Sequence, residues 1–350
     1  MSFDTAPVRH GEELDRERLS DYLKGKLEGA EDGVTIQQFP GGHSNLTYML
    51  RAGEREYVLR RAPLGPVAPK AHDMASEYAV LKAVQPFFAP APHVFHLCED
   101  PAVIGAVFFV MERRRGIILR ERLPPELGNV PRFRERVSQG FTDCLVQLHS
   151  IDLERNGLLG LGKPAGFLER QVRGWAERWG RCKTENLAPM ENLIRWLSER
   201  MPVSQGPTLV HNDFKLDNVM IDSADPGRIE AVLDWEMAAI GDPLVDLGLT
   251  LCYWAQPTHL GPVGSITSEP GWYTRDEMVQ RYATKTGFDV SNISYYEVFA
   301  VFKLAVVLQQ IYYRFHCGQT QDERFRNFDQ RVRNLVETGH ALASGDVSHG

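Results

Sequence analysis

Two short apolar segments near the middle of the chain each end at an oxygen-bearing side chain, and this order limits what the chain can build. Thr208–Val210 is β-branched and apolar, which is typical of a buried strand, and Asp213 follows it closely. Asn218 comes five positions later, where apolar residues resume. A second apolar strand is predicted over Ile229–Leu233 and ends at Asp234. Polar residues placed at the ends of strands are typical of binding and catalytic sites.

The residue types at these positions match what phosphoryl transfer to a hydroxyl requires. A carboxylate such as Asp213 can orient the hydroxyl and take its proton. Amide and carboxylate oxygens, here from Asn218 and Asp234, are suitable ligands for Mg²⁺ on nucleotide phosphates. Lys215 can place its ammonium near the transferred group, where negative charge develops. From His211 to Asn218 the spacing has the H-x-D-x-x-x-x-N form of a kinase catalytic loop.

Each of these residues alone has a simpler explanation. An aspartate at a strand end is more often a turn former or a helix cap than a catalyst. We interpret His211 as a structural histidine that hydrogen-bonds within its own loop. The full order of histidine, aspartate, asparagine, strand and aspartate is much harder to obtain by chance, so the combination predicts a phosphoryl-transfer site.

Composition fits a folded chain that contains two or three domains, or one large bilobal unit. The chain has 350 residues, of which 43% are hydrophobic and 24% charged. Its formal net charge of −7 argues against a broad nucleic-acid surface. The uninterrupted apolar stretches are too short to cross a bilayer, so we expect no membrane partner. The five cysteines are far apart and there is no apolar signal segment, so we expect reduced thiols in a cytoplasmic protein. The sequence does not determine the oligomeric state.

Hydrophobic periodicity divides the chain into a sheet-rich part and a helical part, near residue 115. The first part predicts a five-stranded, largely antiparallel sheet with one inserted helix, and the second part is mostly helical, so the fold class is α+β. The predicted strands of the first part are 34–39, 46–51, 57–61, 93–97 and 106–112, and the predicted helices of the chain are 14–27, 72–84, 131–149, 166–180, 188–201, 243–254, 275–286, 293–316 and 323–343.

Several motifs together resemble a known enzyme family. HNDFKLDN at 211–218, VLDWE at 232–236 and GDPLVDL at 241–247 are similar to the aminoglycoside phosphotransferase and choline kinase group of kinase-like enzymes. FPGGHSNLTY, YVLRR and CEDPAVIG are similar to the branch that occurs as a domain of certain acyl-CoA dehydrogenase proteins. The resemblance implies a bilobal protein-kinase-like fold, with a nucleotide-binding lobe at 1–115 and a catalytic, acceptor-binding lobe at 116–350.

The resemblance also implies roles for individual residues of the catalytic lobe. Asp213 would be the catalytic base, with Lys215 beside it, and Asn218 and Asp234 would hold Mg²⁺. ATP would be the phosphoryl donor, and a small molecule with a hydroxyl would be the acceptor. The family usually has glycine where this chain has Asn212, and this departure concerns the geometry of the loop rather than a catalytic group.

In the nucleotide-binding lobe the resemblance implies three groups of contacts. Arg60 occupies the position of the strand lysine of kinases, with Glu77 as its ion-pair partner, although both could instead be solvated surface charges. Arg61 would point to the opposite face of the strand. The other implied nucleotide-binding residues are Gly42, His43, Ser44 and Asn45 in the covering loop, and Met111, Glu112 and Arg114 in the hinge.

Three further carboxylates have structural explanations. Asp246 is expected to hydrogen-bond the backbone near the catalytic loop. Asp242 before Pro243 is typical of a helix N-cap with proline at the first helical position. Glu236 could support the metal or could be an exposed acid at a helix start, and the sequence leaves both open.

The acceptor is the least determined part of the prediction. An aminoglycoside is a polycation and favours an acidic site, yet residues 251–350 contain ten Asp/Glu and nine Lys/Arg. We therefore favour another hydroxyl compound, such as a hydroxyacyl-CoA or a hydroxy acid, over an aminoglycoside or choline. A pseudokinase that binds nucleotide without catalysis is the alternative of a different class. An arginine cluster that is either a solvated face or a contact for an anionic acceptor comprises Arg314, Arg324, Arg326, Arg331 and Arg333.

Overall fold

The computed structural model describes residues 4–40, 45–63, 73–120, 122–124, 127–128, 130–254 and 266–345. These residues form two compact units. Unit 1 contains the chain up to Gly116 together with Glu230–Ala238, and unit 2 contains Ile117–Ile229 and the chain from Ala239 onward.

Unit 1 is built on a five-stranded antiparallel sheet, as the sequence predicts. The strands are in the order β1-β2-β3-β5-β4, and the helix α2 enters the chain between β3 and β4. The elements are α1 (Arg16–Leu23), β1 (Thr35–Gln38), β2 (Leu46–Ala52), β3 (Arg55–Arg61), α2 (Met74–Val84), β4 (Val94–Cys98) and β5 (Phe108–Glu112).

Successive side chains of β3 point alternately into the core of unit 1 and away from it. Leu59 belongs to a core that also contains Leu19 of α1 and Phe108 of β5. Because side chains alternate along a strand, Arg60 points away from this core. Arg61 lies on the side of Leu59, where its Nη1 donates to the carbonyl of Ile104 at 2.8 Å, as predicted for the neighbour of Arg60.

Unit 2 consists mainly of helices, with short strands between them. Strand β7 pairs antiparallel with β10, and β6 pairs antiparallel with β8. The helices are α3 (Phe133–His149), α4 (Phe167–Cys182), α5 (Ala188–Glu199), α6 (Pro243–Tyr253), α7 (Arg275–Thr286), α8 (Ile293–His316) and α9 (Phe328–Ser344). The strands are β6 (Ile117–Ile118), β7 (Thr208–Val210), β8 (Val219–Ile221), β9 (Ile229–Val232, which begins at the end of unit 2) and β10 (Ala239–Gly241).

Helix α8 is the central element of unit 2 and packs against α9, α6 and α4. Among the described residues it is the one helix long and apolar enough, by length and composition alone, to cross a membrane. More than half of its most apolar window is buried within the fold, and a helix buried in a protein core meets the same test. Its buried polar side chains are Glu297, Lys303 and Gln309.

The segment Glu230–Ala238 groups with unit 1, whereas the sequence analysis includes it in the domain 116–350. The nitrogen of Val232 donates to the carbonyl of Pro90 at 2.8 Å, and the ring of Trp235 packs on Phe88 with centroids 5.9 Å apart. These contacts join the segment to unit 1 over a large sequence separation, which local hydrophobic patterns do not reveal.

We expect the close approach of α6 and α8 to depend on Gly248. A Cβ at this position would lie 2.6 Å from the backbone oxygen of Tyr296, so Gly248→Ala forces the helices apart. Overpacking of this kind lowers the free energy of unfolding by about 1–3 kcal/mol. Denaturant midpoints measure this loss.

The matched control is Gly174→Ala in α4, where an added Cβ meets nothing within 4 Å. This change should leave stability unchanged or raise it by up to about 1 kcal/mol, because alanine favours helix more than glycine does. Equal stability of Gly248→Ala and the wild type would contradict the close packing.

Candidate functional site

In unit 2 the predicted catalytic loop brings three of its polar side chains into contact. The loop begins after β7, passes through a 3₁₀ turn at Leu216–Asn218 and ends at β8. Asp213 Oδ2 accepts a hydrogen bond from Asn218 Nδ2 at 2.8 Å and lies 2.9 Å from Lys215 Nζ. About a quarter of the Asp213 side chain is exposed, so its carboxylate is ordered and still accessible.

The cation beside Asp213 is held in its charged form. Burial lowers the pKa of Lys215, but the neighbouring Tyr253 and Asp213 raise it more, so that the pKa lies above the ordinary lysine value. Lys215 Nζ also lies 4.9 Å from the centre of the Tyr253 ring, within cation–π range. A permanent positive charge therefore lies next to the candidate base.

The backbone of the loop is held by one buried carboxylate from α6. Asp246 accepts the amide of His211 at 2.5 Å and the amide of Asn212 at 2.6 Å, which confirms the predicted role of Asp246. His149 Nε2 lies 3.2 Å from the same carboxylate, and its Nδ1 lies 2.6 Å from the hydroxyl of Tyr282. Burial raises the pKa of Asp246, but hydrogen bonds from His149 and His211 lower it to below the usual value.

Two other predictions are also confirmed by contacts, one for His211 in the loop and one for Asp242 at the start of α6. His211 is fully buried, and its Nδ1 accepts the amide of Asp213 at 3.3 Å, as expected of a structural histidine. Asn212 has φ 64°, a left-handed conformation that asparagine tolerates better than most residues. Asn212 therefore takes the backbone conformation for which glycine would otherwise be suited. Asp242 caps α6 by accepting the amide of Leu244 at 3.0 Å.

Unit 1 contains a separate buried charge cluster around Arg60. Its Nη2 lies 2.8 Å from Asp234 Oδ1 and 3.2 Å from Glu77 Oε2. Only 11% of the Arg60 side chain and 1% of the Glu77 side chain are exposed, so the alternative that they are solvated surface charges is wrong. Glu77 Oε1 also accepts the amide of Trp235 at 3.2 Å, next to Asp234 in the chain.

Burial sets the electrostatics of this cluster. It raises the pKa of Glu77 to about 7, while the guanidinium of Arg60 opposes this change. Arg60 stays protonated at any physiological pH. The cluster therefore holds the charged guanidinium of Arg60 in contact with the carboxylates of both Glu77 and Asp234.

Asp234 and Glu236 are held by a backbone turn and by the end of the covering loop. Asp234 has φ 67°, a left-handed conformation at the start of a 3₁₀ turn. Glu236 Oε2 accepts Asn45 Nδ2 at 3.0 Å, and Asn45 is buried. Glu236 thus joins Asn45, the last residue of the covering loop, to the segment of Asp234. The predicted loop residues Gly42, His43 and Ser44 lie outside the described residues.

The three predicted hinge residues lie at and just after the end of β5. Met111 and Glu112 are its last two residues, and the amide of Glu112 donates to the carbonyl of His93 at 2.7 Å. The guanidinium of Arg114 lies 2.9 Å from Glu112 Oε2 and 3.6 Å from Glu230 Oε1. The side chain of Arg114 therefore has a structural role within unit 1, and its nucleotide contact stays a prediction for the backbone.

Asn218 of unit 2 and Asp234 of unit 1 each present an oxygen of the kind that hard divalent cations prefer. Asn218 uses its amide nitrogen on Asp213, which leaves its Oδ1 for a ligand. Asp234 uses Oδ1 on Arg60, which leaves Oδ2. Within the described part of the chain, no three His, Cys, Asp or Glu side chains form a metal cluster. The residue types therefore fit the predicted Mg²⁺ ligands, and their role in metal binding stays a prediction.

A model of the phosphotransferase enzyme family matches residues 35–278, well over half of the chain. The chain therefore belongs to this family, as its motifs predict. Human acyl-CoA dehydrogenase family member 11 is 33% identical over 354 residues, which cover 99% of this chain and 45% of that protein. Mouse acyl-CoA dehydrogenase family member 10 is 32% identical over 97% of this chain and 32% of that protein. The chain thus spans less than half the length of these relatives.

Solved structures confirm the predicted kinase-like α+β fold. A protein of Ralstonia eutropha JMP134, provisionally assigned as an aminoglycoside phosphotransferase, has a TM-score of 0.80 at 28% identity, covering 95% of this chain and 99% of that chain. Choline kinase from Cryptosporidium parvum has a TM-score of 0.62 at 14% identity, covering 95% and 99%. A thermostable mutant of the aminoglycoside phosphotransferase APH(4)-Ia, solved with ADP and hygromycin B, has a TM-score of 0.61 at 17% identity, covering 94% and 98%.

Three residues near the loop are absent from the sequence prediction. His149 of α3 contacts Asp246, and Tyr282 of α7 contacts His149. No local motif marks either of these two residues. Lys303 of α8 donates to the backbone of Asn212 at 2.8 Å. A single lysine in the apolar run AVFKLAVV is the signal that could have identified it.

We expect Asp246→Asn to destabilise unit 2. The amide keeps one acceptor oxygen, but its NH₂ faces a backbone amide, which leaves buried groups unsatisfied at a cost of about 1–3 kcal/mol. Urea unfolding measures the loss. The control is Asp143→Asn, whose carboxylate pairs with Arg281 and Lys285 at 2.7 Å and is 26% exposed. It should cost less than about 1 kcal/mol, and equal losses would contradict the special role of Asp246.

Proposed function

We propose that the protein is an ATP-dependent phosphotransferase that moves the γ-phosphoryl group of ATP to a hydroxyl of a small molecule. The observation that carries this proposal is the contact of Asp213 with Lys215 at 2.9 Å and with Asn218 at 2.8 Å. A partly exposed carboxylate with a cation and an amide beside it has the composition that this reaction needs. Membership of the phosphotransferase family supports the reaction class.

Each residue has a defined part in the proposed reaction. Asp213 orients the acceptor hydroxyl and takes its proton as oxygen attacks phosphorus and the bond to ADP breaks. Lys215 stabilises negative charge on the transferred group. Arg60 binds the nucleotide phosphates through its two-pronged guanidinium. Asn218 and Asp234 would hold Mg²⁺, which neutralises charge on the phosphates when it is bound.

The charges near Asp213 are balanced rather than acidic. The cations Lys215, Lys303 and Arg178 are matched by the carboxylates of Asp213, Asp217 and Asp246, which act on the two lysines. A polycationic aminoglycoside favours a site with an excess of carboxylates. This is why a hydroxyacyl-CoA or a hydroxy acid is the favoured acceptor.

In the structure, the arginine cluster of the C-terminal region gives less support to an anionic acceptor than the sequence alone suggests. Arg324 pairs with Asp322 and Arg326 with Glu323, so both charges are locally neutralised. Arg333 pairs with Glu185 at 2.8 Å. The region therefore presents a mixed surface rather than a basic one, and the balanced charges around Asp213 carry the argument.

Two alternatives remain with specific observations behind them. An aminoglycoside or choline-type acceptor is favoured by the structural similarity to choline kinase from Cryptosporidium parvum and by hygromycin-B 4-O-kinase of Escherichia coli, which is 22% identical over 258 residues. A nucleotide-binding pseudokinase is favoured by arginine in place of the strand lysine at Arg60. Cytoplasmic location stays a prediction.

The test of function is a product assay with MgATP and a panel that contains a 4-hydroxyacyl-CoA, choline and kanamycin, followed by mass spectrometry. We expect phosphorylated hydroxyacyl-CoA, and Asp213→Asn should lower turnover by roughly 10²–10⁴ while ATP still binds. Asp217→Asn, the same change at an exposed position of the loop, is the control and should retain activity. ATP binding without any product would favour the pseudokinase, and wild-type turnover of Asp213→Asn would remove it as the base.

Asp234→Ala tests the nucleotide site separately. Because the variant loses a proposed Mg²⁺ ligand, we expect Mg²⁺ no longer to strengthen ATP binding, as measured by calorimetry with and without the metal. Asp100→Asn, another carboxylate of unit 1, should bind as the wild type does. If Mg²⁺ still strengthens ATP binding to Asp234→Ala by the wild-type factor, Asp234 is not a ligand.

A further inference from the structure

Lys303 is a buried cation in the middle of α8 that the proposed reaction does not use. Its side chain is 5% exposed, and its Nζ donates to the backbone oxygen of Asn212 at 2.8 Å. Nζ also lies 5.4 Å from the centre of the Trp175 ring, within cation–π range. A lysine that only fills space would be replaced at lower cost by methionine or leucine, because burying an ammonium costs several kcal/mol.

The bond that Lys303 makes lies on the peptide that connects Asn212 to the candidate base. The oxygen of Asn212 and the nitrogen of Asp213 belong to the same planar peptide group. Asp246 holds the preceding peptide through the amide of Asn212 at 2.6 Å. Lys303 from α8 and Asp246 from α6 therefore fix successive peptides of the loop, and together they restrict the rotation of Asn212, whose φ is 64°.

The electrostatic surroundings explain how the charge is tolerated. Burial lowers the pKa of Lys303 to about 8, while the carboxylates of Asp213 and Asp246 raise it and Lys215 and Arg178 lower it. The ammonium is thus stabilised by the loop oxygen that it contacts, by the carboxylates of Asp213 and Asp246, and by the Trp175 ring. Without Lys303, the oxygen of Asn212 would lose its side-chain donor.

We propose that Lys303 is a positioning residue that orients the Asn212–Asp213 peptide and thereby aims the carboxylate of Asp213 at the acceptor hydroxyl. This inference rests on the proposed function for its catalytic consequence, but the orientation of the loop is a property of the protein alone. A displacement of a catalytic group by about 1 Å is enough to lower a rate by roughly 10²-fold. The contact therefore bears on turnover more than on nucleotide binding.

The variant is Lys303→Met, and the control is Gln309→Met on the same helix. Gln309 is also buried, and its Nε2 donates to a backbone oxygen, that of Cys182, at 2.9 Å, away from the loop. Lys303→Gln is a second variant in case the first does not fold, since it keeps a polar tip but is one bond too short to reach Asn212.

Two measurements are made on variants of the whole 350-residue chain. In steady-state assays we expect Lys303→Met and Lys303→Gln to lower kcat by roughly 10–100-fold with the KM for ATP within about twofold, and Gln309→Met to keep both. In amide hydrogen exchange followed by NMR, the amides of Asn212 and Asp213 should exchange at least about tenfold faster in both Lys303 variants and unchanged in Gln309→Met.

The outcomes separate this inference from the proposed function. The positioning role is overturned if the amides of Asn212 and Asp213 exchange at the wild-type rate in the folded Lys303 variants. It is also overturned if these variants lower kcat by no more than Gln309→Met does. If the wild type transfers no phosphate to any acceptor, the proposed function fails. Faster exchange confined to the Lys303 variants would then still support the orienting contact.

Discussion

The loop that carries Asp213 depends on one buried carboxylate. Asp246 accepts two consecutive backbone amides, those of His211 and Asn212, from the first turn of α6. Backbone amides without partners in a protein interior are costly, so the loop has one low-energy arrangement as long as Asp246 is ionised. His149 adds a third hydrogen bond to this carboxylate. The position of the candidate base is thus fixed by the packing of helices rather than by the loop itself.

Buried cations are stabilised differently in the two units. In unit 1, Arg60 is shared by Glu77 and Asp234, so that charge is balanced by charge. In unit 2, Lys303 is stabilised by a backbone oxygen and an aromatic face, with carboxylates nearby. A shared cation can change partners when phosphates bind, because the incoming anion replaces a carboxylate. A lysine bound to a backbone oxygen has no such exchange, so it is better suited to hold a loop still.

The sequence predicted those parts of the molecule that local patterns determine. Long periodic segments were placed well, and the predicted bounds of α8, 293–316, match the observed helix. The strands β6, β8 and β10 are absent from the prediction, because two or three residues are too few to show a period of two. Strand β7 is equally short and was predicted only from its β-branched, apolar composition ahead of the H-x-D-x-x-x-x-N motif. The residues of the predicted catalytic loop could be selected because their spacing is a motif, and the structure shows that Asp213, Lys215 and Asn218 are in contact. Lys303 and Tyr282 could not be selected, because their proximity to the loop is created only by the packing of distant helices.

The path of the backbone between the units has a consequence for any attempt to dissect the protein. The chain leaves unit 1 at Gly116, returns to it for nine residues, Glu230–Ala238, and leaves again. A fragment cut at the first crossing would therefore lack Asp234 and Trp235, and would carry Arg60 and Glu77 with half of their partners missing. The units are interleaved in the chain, so neither is a module that a single cut or a single fusion point could transfer intact.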